Sequence, residues 1–211
     1  MKKLFAVALL LVTGSVFAVL HAERGESGGA RGAAGVELAA GAKAPAFSLV
    51  NAVDGKRVAM KPDDGMLKVV VFTCNQCPYA KAFEPRLIEI ANKWGHKGVR
   101  FYAVDPNDDT RFSEETLANM KKRADERGYP FPYLKDGDSS IARAYGARVT
   151  PHVYVVDGAG VVRYRGYVDD QADPAKRTVT GLTDALGALT NGREVANTET
   201  RAFGCSIKFR S

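Results

Sequence analysis

Cysteine is scarce in this sequence. The 211 residues hold three, Cys74, Cys77 and Cys205, an odd number with two close together. A structural disulfide framework takes more cysteines set further apart, so that class of fold is excluded. A structural zinc site takes four ligands, usually a second CxxC or paired histidines. Beyond Cys205 the mature chain offers only His96 and His152, in no paired motif, so no metal site is read and no cofactor is expected. Basic residues are plentiful, with a formal net charge of +6, but they form no aromatic-rich stripe. Lys121-Lys122-Arg123 is followed at once by Asp125 and Glu126, the pattern of a solvated helix face, and a nucleic-acid partner is not expected. There is no internal repeat, and no second apolar run long enough to span a bilayer.

What is present is an ordinary globular composition, 45% hydrophobic and 26% charged, in a length that suits one domain with appendages. Met1-Lys2-Lys3 followed by the apolar run Leu4–Leu20, with small residues before Ala18 and Ala22, reads as a secretory signal peptide over residues 1–22. An uncleaved anchor is the rival. No stable membrane segment is expected once the signal is removed. The protein is therefore expected outside the cytoplasm, periplasmic or secreted, where disulfides can form. Residues 23–40, rich in Gly, Ala, Glu and Arg, read as a flexible tether, and residues 41–211 as the folded domain.

Hydrophobic pattern then orders the domain. Phe47–Val50 and the stretch near Val58, split by Asp54-Gly55, read as two short strands. Val69-Val70-Val71-Phe72 is an unbroken apolar run, the signature of a strand buried on both faces. Ala80, Phe83, Leu87, Ile90 and Trp94 recur at helical spacing, so Pro78–Trp94 is a helix with Pro78 in its first turn and a kink at Pro85. Val99–Val104 is the next strand and completes a right-handed βαβ unit. A helix over Glu114–Arg127 is capped by Ser113 and ended by Gly128, and a short helix covers Ser139–Tyr145. Val153–Val156 and Val161–Val168 form a hairpin about Asp157-Gly158-Ala159-Gly160, and Thr180–Leu189 is the last helix. The order is α/β, with a parallel pair and an antiparallel hairpin in one sheet.

The chemistry lies between the buried strand and its helix, at Cys74-Asn75-Gln76-Cys77-Pro78. A cysteine at a helix mouth faces free backbone N–H groups and the positive end of the helix dipole, and both favour the thiolate. The thiolate is the nucleophile of disulfide exchange. Cys74 is expected at that mouth as the attacking thiol, with Cys77 one turn on as the resolving thiol. Thr150-Pro151 opens the Val153 strand, where proline is tolerated.

The segment Val69–Lys81 resembles the thioredoxin superfamily, and within it the peroxiredoxin-like CxxC branch of the alkyl hydroperoxide reductase/thiol-specific antioxidant (redoxin) group. Phe131-Pro132-Tyr133-Leu134, Ala144-Tyr145-Gly146, Thr150-Pro151, Tyr164-Arg165-Gly166 and Gly204-Cys205-Ser206-Ile207-Lys208 carry the same resemblance, from about Gly41 to the C-terminus. It implies a thioredoxin-like fold, a central mixed β-sheet flanked by helices with an N-terminal β extension, and thiol redox activity. It also implies a cis bond at Thr150-Pro151, facing the CxxC, with the backbone before the proline pairing with an incoming peptide. Three departures stand out. Thr73 replaces the tryptophan of thioredoxin, Asn75-Gln76 its Gly-Pro, and Lys68 the buried acid six residues before the first cysteine. The threonine that peroxiredoxins place three residues before the peroxidatic cysteine is also missing, since Val71 and Cys74 hold those positions.

The function expected is therefore an exported thiol–disulfide oxidoreductase exchanging with protein thiols and disulfides and with a separate electron donor or acceptor. Thiol-dependent peroxidase is the alternative, and a non-enzymatic Cu(I) carrier a further one. Thr73, Pro78, His152 and Cys205 are accessory positions. Cys205 in its glycine-flanked tail reads as an inert buried cysteine rather than a third redox thiol, and His152 as a strand-end histidine rather than a copper ligand. Asp105–Asp109 lacks the glycine and glutamate of a calcium loop and reads as a polar strand-to-helix loop bordering the redox cleft.

Overall fold

In chain order the strands are β1 (Phe47–Asn51), β2 (Arg57–Met60), β3 (Lys68–Phe72), β4 (Arg100–Asp105), β5 (Tyr133–Lys135), β6 (Val149–Thr150), β7 (His152–Val156), β8 (Val162–Gly166) and β9 (Cys205–Ser206). The helices are α1 (Pro78–Gly95), α2 (Leu117–Arg127), α3 (Ser140–Tyr145) and α4 (Gly181–Leu189). This computed structural model describes residues 36–211, so the expected signal peptide and most of the tether lie outside the described residues.

Seven strands form one mixed sheet in the order β2-β1-β5-β4-β3-β7-β8. The run Val69–Phe72 sits near its centre, parallel to β4 on one side and antiparallel to β7 on the other. Alternation along each strand sends Val69, Val71, Ala103 and Val155 to one face, and Val70, Phe72, Val104 and Tyr154 to the other. The first face packs on α1, α2 and α4 through Phe83, Leu87, Trp94, Met120, Leu182 and Leu186. The second packs on α3 through Ala142 and Tyr145. Each such large apolar side chain contributes about 1.5–3 kcal/mol on burial, so both faces of β3 hold the loop that follows it in place.

The expected α/β architecture is present, and four details differ. Strand β5 was not expected: at three residues, close behind Pro130 and Pro132, it carries too little pattern to read, yet it pairs parallel with β4 and antiparallel with β1. The helix expected from Glu114, capped by Ser113, is a 3-10 turn over Ser113–Glu115 followed by α2. Thr116 breaks the two apart with ψ of 152°, and no side chain caps α2. Residues 37–40, read as the end of the tether, are fastened to the domain: Leu38 N–H donates to Tyr145 O and Ala40 N–H to Glu199 Oε1. Finally, β6 and β9 pair as a separate two-stranded sheet, which ties the tail back to the residues before Pro151.

Candidate active site

The loop Thr73–Cys77 leaves the carboxyl end of β3 and enters α1. The expectation put Cys74 at the helix mouth. Cys77 is there instead: it is the N-cap, in extended conformation with φ of −62° and ψ of 120°, and its Sγ accepts the Ala80 N–H at 3.4 Å. The reason lies in Pro78. Proline drives the residue before it out of the helical region, so the helix cannot begin before position 78.

The two amides that would face Cys74 are engaged elsewhere. Asn75 N–H and Gln76 N–H both donate to the Glu115 carboxylate, at 2.8 and 3.2 Å. Glu115 is fully buried, and Asn107 Nδ2 donates to it as well. The Asn75 side chain donates to Glu114 O and accepts from Tyr133 OH, so the CxxC loop is held on both sides. Glu115 is the last residue of the 3-10 turn that stands in place of the first turn of the expected helix.

On the other side stands Thr150-Pro151, whose peptide bond is cis as the resemblance implied. The Thr150 hydroxyl lies 3.2 Å from Cys74 Sγ, and its carbonyl accepts from Cys77 Sγ at 3.1 Å. Thr150 therefore touches both cysteines. Thr73 is tied by its amide to Val104 O, and the hydroxyl beside the CxxC is that of Thr150 rather than Thr73. His152 points into the core, stacked on Tyr154 with ring centroids 4.7 Å apart, and neither ring nitrogen has a partner. Burial pulls its pKa down to about 4 and keeps it neutral.

Cys205, read from the sequence as a buried cysteine, is not fully buried. It is half-buried and packs against the cluster of Cys74, Cys77 and Ala80, because β9 lays Cys205 opposite Thr150 in register. All three cysteines are free thiols.

Charge separates the three. The Cys77 pKa is lowered to about 4, first by the hydrogen bond from Cys74 and then by those from Cys205, the Ala80 amide and Thr150, against the cost of burial. Cys74 moves the other way, raised by its role as donor to Cys77, by burial and by the nearby Glu115 carboxylate. Burial and the neighbouring Cys77 push Cys205 up to about 11. The Cys77–Thr150 carbonyl bond belongs to the neutral thiol and is lost on ionisation. The hydrogen bond from Cys74 is the first cause that outweighs it, with Cys205 and the Ala80 amide adding to it, and the shift favours the thiolate at Cys77.

Beneath the loop, Asp105 is buried with Oδ2 unpartnered, and burial raises its pKa in spite of Lys135, whose Nζ lies 3.6 Å away. Lys68, which holds the position of the missing acid, points to the opposite end of β3, where its ammonium donates to Pro62 O and Met66 O and pairs with Asp64.

Residues 40–165 match the AhpC/TSA family. The chain belongs to that family. A solved protein of Geobacillus kaustophilus, described as an uncharacterized conserved protein, is 39% identical over 82% of this chain and 93% of its own, with a TM-score of 0.77. A thiol:disulfide interchange protein of the DsbE type from Chlorobium tepidum, 22% identical with a TM-score of 0.52 over 61% of this chain and 85% of its own, shares the fold. The thiol-disulfide oxidoreductase ResA of Bacillus thuringiensis is 27% identical over 122 residues, 58% of this chain. The alignment spans 66% of ResA, just short of two thirds of its length. The fold is thioredoxin-like, as the resemblance implied.

In this AhpC/TSA protein the described residues hold no group of three or more His, Cys, Asp and Glu side chains arranged for a metal ion. No helix among them is long and apolar enough to cross a membrane. The arrangement can ionise one cysteine, keep a second protonated beside it, and exchange a disulfide between them. Sequence reasoning set the Asp105–Asp109 loop beside the cleft but missed Glu115 and Lys135 as parts of the site. Glu115 looked like one of two acids in a helix's first turn. Pro78 was the one available signal for the helix mouth.

Proposed function

We propose that this protein is a thiol–disulfide oxidoreductase acting on protein partners, with Cys77 as the attacking thiol and Cys74 as the resolving thiol. The observation that carries this reading is Cys77 at the N-cap of α1, beside Cys74 and against Thr150 of the cis-proline loop. The thiolate of Cys77 attacks one sulfur of a partner disulfide, and the other partner sulfur leaves as a thiolate. Cys74 then gives up its proton and attacks Cys77 Sγ, which closes the Cys74–Cys77 disulfide and releases the reduced partner. An external donor reduces the pair again, or the cycle runs in reverse. The roles differ from the sequence expectation because Cys77, not Cys74, caps α1 and accepts the Ala80 N–H. The likeness to ResA supports the reaction class, and the N-terminal segment 1–22 supports an extracytoplasmic setting.

Insulin reduction by the reduced protein tests the assignment. Cys77→Ser should abolish turnover. Cys74→Ser should stall at a mixed disulfide with insulin, visible as a larger band on a non-reducing gel. Turnover that survives Cys77→Ser sinks the proposal. Thiol-dependent hydrogen peroxide consumption far above that of free cysteine, with no insulin reduction, would favour the peroxidase reading.

A further inference from the structure

The C-terminal tail lies on the edge that an incoming peptide would use. Strand β9 pairs antiparallel with β6, Cys205 opposite Thr150 and Ser206 opposite Val149, and Ile207 N–H extends the ladder to Arg148 O at 2.9 Å. Edge pairing of this kind is how extended peptides dock on a sheet. The approach is close: a Cβ at Gly204 would sit 2.0 Å from Thr150 O, which only glycine avoids. The acidic loop after β4 fixes the tail, with Lys208 N–H donating to Asn107 Oδ1 at 2.8 Å and Asp108 N–H to Lys208 O at 2.7 Å. On the other flank Phe203 packs edge-on against Phe83, 5.7 Å between centroids. The tail therefore presents a thiol against Cys77 in the manner of a bound substrate cysteine.

We propose that Cys205 is a third exchanging thiol of this site, which attacks Cys77 of the Cys74–Cys77 disulfide from the peptide-binding edge and moves the disulfide to Cys77–Cys205. The proposal rests on the exchange reading above. The Cys205 sulfur loses its proton and bonds to Cys77 Sγ, the Cys74–Cys77 bond breaks, and Cys74 leaves as a thiolate that takes up a proton. One disulfide is exchanged for another, so no external oxidant or reductant is consumed. Because β9 is already seated, the step is intramolecular, and the chain entropy of bringing the two thiols together is met by the fold. The product ties the tail over β6 and closes the edge to protein partners. A partner with a free thiol reopens it by attacking Cys77 or Cys205.

Trypsin makes the two disulfides distinguishable. It cuts after Lys68, Lys81, Arg201 and Lys208, so Cys74 and Cys77 share peptide 69–81 while Cys205 is in 202–208. The full chain is oxidised with glutathione disulfide, the free thiols are alkylated at low pH, and the digest is read by mass spectrometry without reduction. The expected result is a linked 69–81/202–208 peptide with Cys74 alkylated, alongside cyclic 69–81. In Cys74→Ala the linked peptide should become the main form, leaving no alkylated cysteine. If the natural chain gives only cyclic 69–81 with Cys205 fully alkylated, the transfer to Cys205 is overturned while the exchange reading stands. If peptide 69–81 never cyclises and insulin is not reduced, the exchange reading itself has failed. A linked peptide that appears only between two chains, in dimers on a non-reducing gel, also overturns the intramolecular step.

Discussion

Glu115→Gln is the sharpest perturbation of the site, because Glu115 holds the CxxC loop from below. Three donors end on its carboxylate: Asn75 N–H at 2.8 Å, Gln76 N–H at 3.2 Å and Asn107 Nδ2 at 3.2 Å. Glutamine has one oxygen. Its best orientation places that oxygen at Oε1 and keeps two of the three bonds, and its NH2 then faces the Asn75 amide. An orphaned buried amide costs about 1–3 kcal/mol. Two bonds that lose their charge assistance cost about 0.5–1 kcal/mol each, since charged hydrogen bonds are roughly twice as strong as neutral ones. Relief of a buried charge next to Asp105 offsets part of this, which leaves a loss of about 2–4 kcal/mol. For a chain of this size that lowers Tm by roughly 4–16 °C. The same change removes a negative charge that raises the Cys74 pKa, so the Cys74 thiolate should form at lower pH than in the natural protein. Thermal unfolding of the reduced protein reads the first effect, and thiolate absorbance near 240 nm against pH reads the second. A Tm within about 1 °C of the natural protein, with an unchanged titration, would refute the reasoning: Glu115 would then neither hold the loop nor tune the cysteines.

Three other outcomes follow from the same geometry. Gly204→Ala places a methyl against Thr150 O and should lift β9, so that alkylation of the buried pair Cys74 and Cys77 speeds up severalfold; an unchanged rate counts against the tail as a cover. Carboxymethylation of Cys77 should fall as pH drops, half-maximal near pH 4 and flat above about pH 6, whereas a midpoint near the ordinary thiol value would show that Cys74, Cys205 and the Ala80 amide do not hold the thiolate. His152→Phe should flatten the acid side of the stability curve. The folded-state pKa of His152 is about 4 against 6.5 unfolded, so the unfolded chain binds the extra proton, and stability present above pH 6.5 is lost as pH falls toward 4. At 1.4 kcal/mol per pKa unit that is about 3 kcal/mol, read as the difference between natural and variant urea midpoints at pH 7 and pH 4; a difference that does not change with pH refutes it.

Local pattern was enough for the elements whose signal is local. The run Val69–Phe72 became the buried centre of the sheet, because an unbroken β-branched stretch has no polar face to give to water. The stripe Phe83, Leu87, Trp94 became the inner face of α1, since its 3.6-residue period lets one side of the helix bury it. The pair Cys74 and Cys77 stood out by spacing, and their closeness to one another follows from that spacing. Strand β5 was invisible, because three residues behind two prolines carry no period.

What tertiary structure decided was which groups meet these cysteines from a distance. Glu115 comes from 39 and 40 residues away to take the loop amides, and its charge adds to the hydrogen bond with Cys77 and the burial that raise the Cys74 pKa. Cys205, 128 residues beyond Cys77, arrives only because β9 pairs with β6. Sequence by itself determined the chemistry on offer, two thiols before a helix that Pro78 starts, because residue type and local backbone preference are written at each position. Their ionisation was settled by the fold, because a thiol's pKa depends on the donors, charges and burial around it, and those come from strands and turns whose contacts no local pattern records.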